Sequence, residues 1–489
     1  MVRSPVSRLL RFGLALGFVL AVSPASPAAA SWPSDGANHV VVADGANEQV
    51  QPKLVPTADG GCYASWFDNA AGGYDVRLQR LSVLGNEVWA HNGVLVADRD
   101  FSSTQDYGLS IDTAGNALLA YRYDTGSGVH VYASKVDPSG TPLWGTPGIQ
   151  VSSGAGDANS PRIAGTTDGN VVVAWSQGAE VKVQKLDAMG SPLWGSGVSL
   201  TPASGSFLIA DLRASDAGTA IVSWVPNPAR HLWAQKLASA DGASLWAAGH
   251  VQVYDAAGGT LQFGNFPPFQ SDGAGGAVFT WYTSSPSLQV RAQRILANGT
   301  EVFAHNGVEA STLAGQLRSS PSAAFDTATG DLYVFWRETN SLQNQIGVWG
   351  QRLDATGARQ WTDSGQVIVP LGGEDVSQVN TLLLGAEPVV AWAQTEVFDD
   401  QPIRAARLDT TGALVWTPGI ASVKTGNSGT SRLAGTVSSG GFAIYAWTDG
   451  ETPRDLLAQN LRPDGTLGTL LFADGFETGD TGGWSLTVP

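Results

Sequence analysis

The sequence predicts an all-β fold, an eight-bladed β-propeller with four-stranded blades and a ring closed by an N-terminal strand that completes the last blade. A short apolar run ending in an aromatic residue recurs eight times, at intervals of 49 to 57 residues. Each unit contains four runs rich in Val, Ile, Trp and Tyr, separated by Gly, Asp, Asn or Pro, which is typical of short strands joined by turns. No segment shows sustained helical periodicity.

Two motifs define each unit. The first is a glycine-containing turn followed by the apolar strand, whose final aromatics are Trp66, Tyr121, Trp175, Trp224, Trp281, Trp336, Trp392 and Trp447. The second, of the QRL type, ends 11 to 17 residues later at Leu81, Val136, Leu186, Leu237, Ile295, Leu353, Leu408 and Leu461. A glycine hairpin then leads to a second aromatic at Trp89, Trp144, Trp194, Trp246, Phe303, Trp361 and Trp416. Aromatics at one register of every unit are interpreted as packing between sheets.

The two ends of the repeat array are incomplete in complementary ways. The eighth unit lacks the second aromatic and the fourth strand, whereas residues 31–43 supply an aromatic, Trp32, and a strand, Val40 to Val42. We therefore predict that these residues close a ring of radial blades and that the propeller occupies residues 31–470. An open solenoid is the alternative architecture.

Residues 1–30 have the order of a secretory signal peptide. Arg3, Arg8 and Arg11 precede a short apolar run, and small residues end the segment at Ala30. The run is too short to span a membrane, and no later segment offers the roughly twenty apolar residues that a span requires. Cys62 is the only cysteine, so the fold is expected to depend on its core rather than on disulfides.

The charge balance narrows the classes of partner. The chain carries a net charge of −16, and the predicted signal peptide contributes three arginines and no acid, so the mature chain carries −19. A strongly negative chain repels nucleic acid and anionic lipid, which are therefore disfavoured as partners. We expect a secreted or cell-surface monomer with an unknown protein or glycan ligand, no nucleic-acid partner and no membrane span.

The connecting segments divide into two sets on opposite faces of the ring. The turns before the aromatic strands and the glycine hairpins are short and uniform, whereas the connections between second and third strands and between units vary and share one face. Variable loops on a rigid scaffold are where binding usually resides, and carboxylates such as Asp106 lie there. The innermost strands begin near this face and direct six candidate ligand-binding residues toward the central mouth: Lys53, Tyr107, Arg162, Arg213, Phe269 and Arg432. Basic groups there could hold an acidic sugar or another carboxylate; the alternative is that they serve solubility and rim packing.

Catalytic motifs are mostly missing from the sequence. No G-x-S-x-G elbow, HExxH, Walker loop or C-x-x-C occurs, so we assign no catalytic residue, metal ligand or cofactor. His91 and His305 stand in twin phrases, "GNEVWAHNGV" and "GTEVFAHNGV", which belong to units one and five and therefore to opposite sides of the ring. The predicted function is non-enzymatic binding or cell-surface interaction. The alternative is a carbohydrate-active enzyme, a glycoside hydrolase or lyase, that uses carboxylates and Arg at the central mouth.

Three resemblances accompany this interpretation. The hairpin from Asp354 to Trp361 resembles the Asp-box of sialidase-type propellers, and the array of QRLD-x-x-G-x-x-x-W units resembles uncharacterised exported bacterial proteins regarded as propeller-like. Residues 471–489, with "FADGFETGDTGGW", resemble a C-terminal segment of the form DGFE-x-GD-x-x-x-W that ends many secreted proteins of Gram-negative bacteria. This last resemblance implies a sorting or surface-association tail.

Overall fold

The computed structural model describes residues 31–469, apart from 101, 102, 105, 155, 201–204, 247, 248, 396–399, 427 and 452. The predicted signal peptide and C-terminal tail lie outside the described residues and stay predictions. The described residues form eight antiparallel sheets, each built from strands that are consecutive in sequence except in the last blade. The predicted eight-bladed β-propeller is confirmed.

The strands of each blade follow one another from the channel outward. Those of the N-terminal half are β1 (Val40–Ala43); β2 (Gln49–Pro56), β3 (Cys62–Asp68), β4 (Asp75–Leu81) and β5 (Val94–Ala97) in blade 1; β6 (Gly108–Ile111), β7 (Ala117–Asp124), β8 (Val129–Val136) and β9 (Ile149–Gln150) in blade 2; β10 (Ala158–Gly165), β11 (Val171–Gln177), β12 (Glu180–Leu186) and β13 (Val198–Leu200) in blade 3; and β14 (Ser206–Ala214), β15 (Ala220–Asn227), β16 (Leu232–Leu237) and β17 (Val251–Tyr254) in blade 4. Those of the C-terminal half are β18 (Thr260–Leu261), β19 (Phe269–Ser271), β20 (Ala277–Ser285), β21 (Val290–Ile295) and β22 (Val308–Glu309) in blade 5; β23 (Gln316–Phe325), β24 (Leu332–Asn340), β25 (Ile346–Leu353) and β26 (Gln366–Gly372) in blade 6; β27 (Asp375–Leu384), β28 (Glu387–Thr395), β29 (Ile403–Arg407) and β30 (Ile420–Lys424) in blade 7; and β31 (Thr430–Val437), β32 (Ala443–Asp449) and β33 (Asp455–Leu461), with β1, in blade 8.

Blade 5 departs from the four-strand pattern because its innermost position is divided. Both β18 and β19 pair with β20, and residues 262–268 between them belong to no strand. Pro267 and Pro268 end this segment, and proline lacks the N–H that a strand ladder requires. Among the described residues, the one helical segment is a 3-10 turn, Asp216–Gly218, in blade 4.

The N-terminal strand closes the ring, as predicted. Blade 8 has the strand order β1-β33-β32-β31, and in it Val40 pairs with Ala458 and Val41 with Leu457. The buried apolar side chains form eight clusters, and each cluster spans one pair of neighbouring blades, including blades 8 and 1. The core is therefore a continuous belt of interfaces between sheets, which excludes the open solenoid.

The second aromatic of a blade packs on the hairpin of the next blade. The Trp416 indole N–H donates to the Pro463 carbonyl at 2.8 Å, and the Trp32 indole N–H donates to the Val83 carbonyl at 2.9 Å. Each of these rings also covers a hairpin glycine. Gly85 has a φ of +85°, and a Cβ added there would lie 2.7 Å from the Trp32 ring, so this turn needs a residue without a side chain. The D-x-x-G-x-x-x-W phrase is thus a blade-to-blade joint, and Trp32 makes that joint across the two ends of the ring.

The QRL motif supports the same joint from within the blade. The side-chain carbonyl oxygen of Gln351 accepts hydrogen bonds from the backbone N–H groups of Arg352 and Trp361, at 3.0 and 2.9 Å. Arg352 then binds the Asp331 carboxylate of its own blade at 3.0 Å and the Thr410 carbonyl of the next blade at 2.9 Å. Gln351 therefore positions Trp361, and Arg352 joins neighbouring blades.

The twin histidines serve these joints in blades 1 and 5. His91 Nδ1 lies 3.0 Å from a Glu87 carboxylate oxygen, and His91 Nε2 lies 2.8 Å from a carboxylate oxygen of Asp44, which follows β1. His305 makes the equivalent contacts at 3.0 and 2.9 Å. Burial lowers the pKa of each histidine, but the two carboxylates outweigh burial and raise it. Both residues therefore tie a hairpin to the preceding inter-blade segment.

Candidate functional site

The innermost strands enclose a central channel that contains two adjacent cavities. The first measures about 520 Å³ and is bordered mainly by blade 8 and blades 1 to 4. The second measures about 430 Å³ and is bordered mainly by blades 4 to 7. Arg213, Pro268, Asn380 and Gly435 line both, so the cavities meet at these residues. Each volume lies within the range of roughly 300–1,000 Å³ that is usual for small-molecule sites.

The six predicted site residues divide into three groups. Lys53, Tyr107, Arg162 and Arg213 line the first cavity, and Arg213 and Phe269 line the second. Arg432 is exposed on β31 and lines neither cavity. Register explains this difference, because Arg432 lies inside a bulge between the paired residues Ser431 and Ala434.

Lys53, Asp106 and Arg162 form an ion-pair bridge across blades 1, 2 and 3. Lys53 Nζ lies 2.8 Å from one oxygen of Asp106, and a terminal nitrogen of Arg162 lies 2.7 Å from the other. Burial disfavours the Asp106 carboxylate, but the charges of Lys53 and Arg162 outweigh burial and hold the pKa of Asp106 well below its usual range. Asp106 is therefore a permanently charged acceptor at the wall of the channel.

Tyr107 and Phe269 support the wall rather than projecting into open space. Tyr107 is fully buried, its hydroxyl shares a hydrogen bond with the Ser65 hydroxyl at 2.8 Å, and it donates to the Gln51 carbonyl at 3.0 Å. Burial raises the pKa of Tyr107, so its hydroxyl stays protonated. Lys53 Nζ lies 5.1 Å from the centre of the Tyr107 ring, within cation–π range. Phe269 is buried and packs on Phe279 with ring centres 5.0 Å apart.

Arg213 and Asp211 form a second ion pair, on blade 4. Arg213 Nε donates to an Asp211 oxygen at 2.8 Å. The Asp211 carboxylate also accepts from the backbone N–H groups of Leu212, at 2.9 Å, and Phe269, at 3.2 Å. Its position is thus fixed by two strands of different blades. The Arg213 side chain is 52% exposed, and it lines both cavities.

Backbone bulges interrupt the innermost strands at the level of these side chains. Five non-glycine residues in them adopt a left-handed backbone, with φ between 50° and 56°: Gln51, Ser160, Ser320, Gln378 and Arg432. Each lies where the pairing with the second strand shifts register. A left-handed non-glycine residue costs about 1–2 kcal/mol, and such strain often gathers at functional sites.

Sequence reasoning did not assign Asp211 and Asn380 to the channel. Asp211 pairs with Ser223 and Asn380 with Ala391, each the residue immediately before a strand-end tryptophan. Lys53 and Arg162 pair with the equivalent residues of their own blades. Aligning the first strand of each unit against its second strand could therefore have identified this level of the channel from the sequence.

Within the described residues, no group of three or more His, Cys, Asp or Glu side chains is arranged to hold a metal ion. The helical content of that same part of the chain includes nothing long and apolar enough to cross a membrane. Cys62 is buried in the interface between blades 8 and 1, and burial raises the pKa of its thiol to about 12.

No family model matches the chain, and no curated protein matches it in sequence. Similar solved structures include the Dos1 propeller, with 10% identity over 86% of this chain and 95% of that one and a TM-score of 0.49. An ulvan lyase, described as a new family of polysaccharide lyase, has 11% identity over 88% of this chain and 97% of that one, with a TM-score of 0.48. Prolyl oligopeptidase B from Galerina marginata has 10% identity over 83% of this chain and a TM-score of 0.45, and this chain spans only 56% of its length. At these identities, the likeness concerns architecture and carries no ligand or activity to this chain.

Proposed function

We propose that this chain is an exported, non-enzymatic binding module whose ligand, a glycan or a protein segment, enters the central channel. The observation that carries the proposal is the pair of adjacent cavities edged by the Lys53–Asp106–Arg162 bridge and the Asp211–Arg213 pair. Ion pairs within and between blades hold these polar groups in place before any ligand arrives, which lowers the entropic cost of binding. Export rests on the signal-peptide character of residues 1–30, and attachment to the cell surface rests on the resemblance of residues 471–489 to a sorting tail.

The state of the channel carboxylates favours binding over hydrolysis. Glycoside hydrolysis needs a carboxylic acid that keeps its proton near neutral pH, beside a second carboxylate. The charges of Lys53 and Arg162 lower the pKa of Asp106, which is the opposite of what such an acid needs. Asp211 is ion-paired with Arg213 and accepts hydrogen bonds from two backbone N–H groups. Tyr107, which a lyase could use as a base, is buried and keeps its proton. The carbohydrate-active enzyme is therefore the second candidate.

One experiment addresses both candidates. The exported chain is applied to a glycan array, and the same glycans are incubated with it and examined for shortened or unsaturated products. Asp106→Asn removes the charge that bridges blades 1, 2 and 3, and Asp363→Asn is the matched control, because Asp363 pairs with Arg359 and its side chain is 80% exposed. We expect binding that Asp106→Asn weakens and Asp363→Asn preserves, without turnover.

Two results would contradict these expectations. Equal binding by the Asp106→Asn variant and the unaltered chain would exclude the Lys53–Asp106–Arg162 bridge from the binding site. Products released from any glycan would overturn the non-enzymatic proposal and favour the hydrolase or lyase.

A further inference from the structure

Arg213 is a channel cation with free hydrogen-bonding capacity. Its Nε is committed to Asp211 at 2.8 Å, whereas its two terminal nitrogens make no hydrogen bond with any described residue. Its guanidinium is held by a carboxylate that two backbone N–H groups fix in turn. A guanidinium with one anchored edge and one free edge is suited to a planar carboxylate, which it binds through two parallel hydrogen bonds.

The other two cations of the channel have one carboxylate between them and offer no free guanidinium edge of the Arg213 kind. Lys53 and Arg162 share Asp106, and Arg162 also donates to the carbonyls of Ala210, at 3.2 Å, and Pro161, at 3.0 Å. The lining of the two cavities contains three cations, Lys53, Arg162 and Arg213, and two carboxylates, so its net charge is +1. A ligand with one negative group balances this charge, and a densely charged ligand would meet Asp106 and Asp211.

Neutral polar groups continue from Arg213 into the second cavity. Asn380 lines both cavities, and its buried Oδ1 has no hydrogen-bond partner among the described residues. This oxygen packs against Gly435, whereas the Asn380 side chain as a whole is half-buried and borders both cavities. Asp106 and Asp211 offer further acceptors beside the cations. Vicinal sugar hydroxyls donate and accept at once, which matches this alternation of donors and acceptors.

We propose that the channel binds an oligosaccharide that carries a uronate, with the uronate carboxylate on Arg213 and the neighbouring sugar beside the Asn380 side chain. This inference rests on the proposed function and names the ligand class of the same site. The uronate carboxylate is placed on Arg213, at the junction of the cavities, rather than on the more charged Lys53–Asp106–Arg162 bridge.

The test compares uronate oligosaccharides with the same oligosaccharides after reduction of their carboxyl groups to alcohols, by array and by titration calorimetry. Arg213→Gln removes both the positive charge and the guanidinium that can make two parallel hydrogen bonds. Arg213→Lys keeps the positive charge but cannot make the two parallel hydrogen bonds of a guanidinium. Arg359→Gln is the control, because Arg359 Nε also binds an aspartate, Asp363, at 3.0 Å, on an outer hairpin that is not part of the cavity lining. Thermal unfolding of each variant establishes that it is folded.

We expect carboxyl reduction and Arg213→Gln each to weaken binding roughly ten- to hundredfold, the usual worth of a charged hydrogen bond. Arg213→Lys should recover only part of this loss, and Arg359→Gln should change nothing. Combining Arg213→Gln with the reduced sugar should add no further loss, because both changes remove one interaction.

Three results would overturn the inference: no binding of any uronate oligosaccharide at millimolar concentration, equal binding of the acidic and reduced sugars, or unchanged affinity in a folded Arg213→Gln variant. Tight binding of neutral glycans or peptides that Asp106→Asn abolishes and Arg213→Gln spares would refute the uronate while leaving the channel as the binding site. Binding that no channel substitution affects would refute the proposed function as well.

Discussion

Replacing Trp32 tests ring closure most directly. The Trp32 side chain is only 2% exposed, it donates to the Val83 carbonyl, and it covers Gly85 of blade 1. Truncating a buried Trp to Ala costs about 3–5 kcal/mol, so Trp32→Ala should lower the free energy of unfolding by that amount. Because the ring gives every second aromatic the same joint, Trp416→Ala in blade 7 should cost about as much. Urea unfolding followed by far-ultraviolet circular dichroism measures both.

Two residues of the closing strand provide the internal comparison. Val42 is fully buried, and truncating it should cost about 1.5–3 kcal/mol. Its neighbour Val41 is 40% exposed, so Val41→Ala should change stability by less than about 0.5 kcal/mol. If Trp32→Ala unfolded at the same urea concentration as the unaltered chain while Trp416→Ala did not, the N-terminal segment would not hold the ring closed. Deleting residues 31–43 should be more damaging than any single substitution.

Three further perturbations test individual contacts. The pKa of His91 and of His305 is raised in the folded protein, so their ion pairs stabilise the fold below the ordinary histidine pKa of 6.5. This stability is lost as pH rises through the folded-state pKa. Replacing both histidines with Gln should flatten that part of the curve of unfolding free energy against pH. Glu338→Gln should cost about 3–5 kcal/mol in urea unfolding, because it leaves the buried Arg318 guanidinium without its counter-charge, and a cost below about 1 kcal/mol would refute the buried pair. Cys62 should resist a thiol reagent in the native protein and react fully in urea, since its thiol is buried and its pKa is about 12; fast native labelling would contradict closure of that interface.

The architecture was predictable because the signal repeats. One strand of apolar residues could be misassigned, but eight copies with the same turn, aromatic and QRL phrase constrain one another. The closing strand was predictable for the same reason, since an incomplete last unit and an orphan strand at the other end fit together. The divided inner strand of blade 5 was not predicted, although its Pro267–Pro268 pair is a sequence signal against a continuous strand.

The candidate site was predictable only in part, because it depends on single-residue register. Lys53 and Arg162 follow a bulge and reach the channel, whereas Arg432 occupies the bulge itself, two residues before the equivalent position of β31, Ala434. A bulge inserts one unpaired residue and redirects the side chains around it, and apolar periodicity does not reveal where it occurs. Charge pairing between blades is also hidden from sequence. Asp106 neutralises two cations from different blades, so the sequence could not show that Arg213 is the one with a free edge.

A contrast between levels of the ring supports the proposed site. Where blades join, the same Gly, Gln, aromatic and basic residues recur, because every joint solves the same packing problem. The innermost strand residue that pairs with the residue before the strand-end aromatic is different in each of the seven blades in which this pair forms: Lys53, Gly108, Arg162, Asp211, Ser322, Asn380 and Ala434. Packing alone would favour the same residue in every blade, as it does at the joints. The variety instead produces an asymmetric channel, with the charged side chains on blades 1 to 4 and neutral groups on blades 6 to 8, which suits the proposed ligand with one charged group.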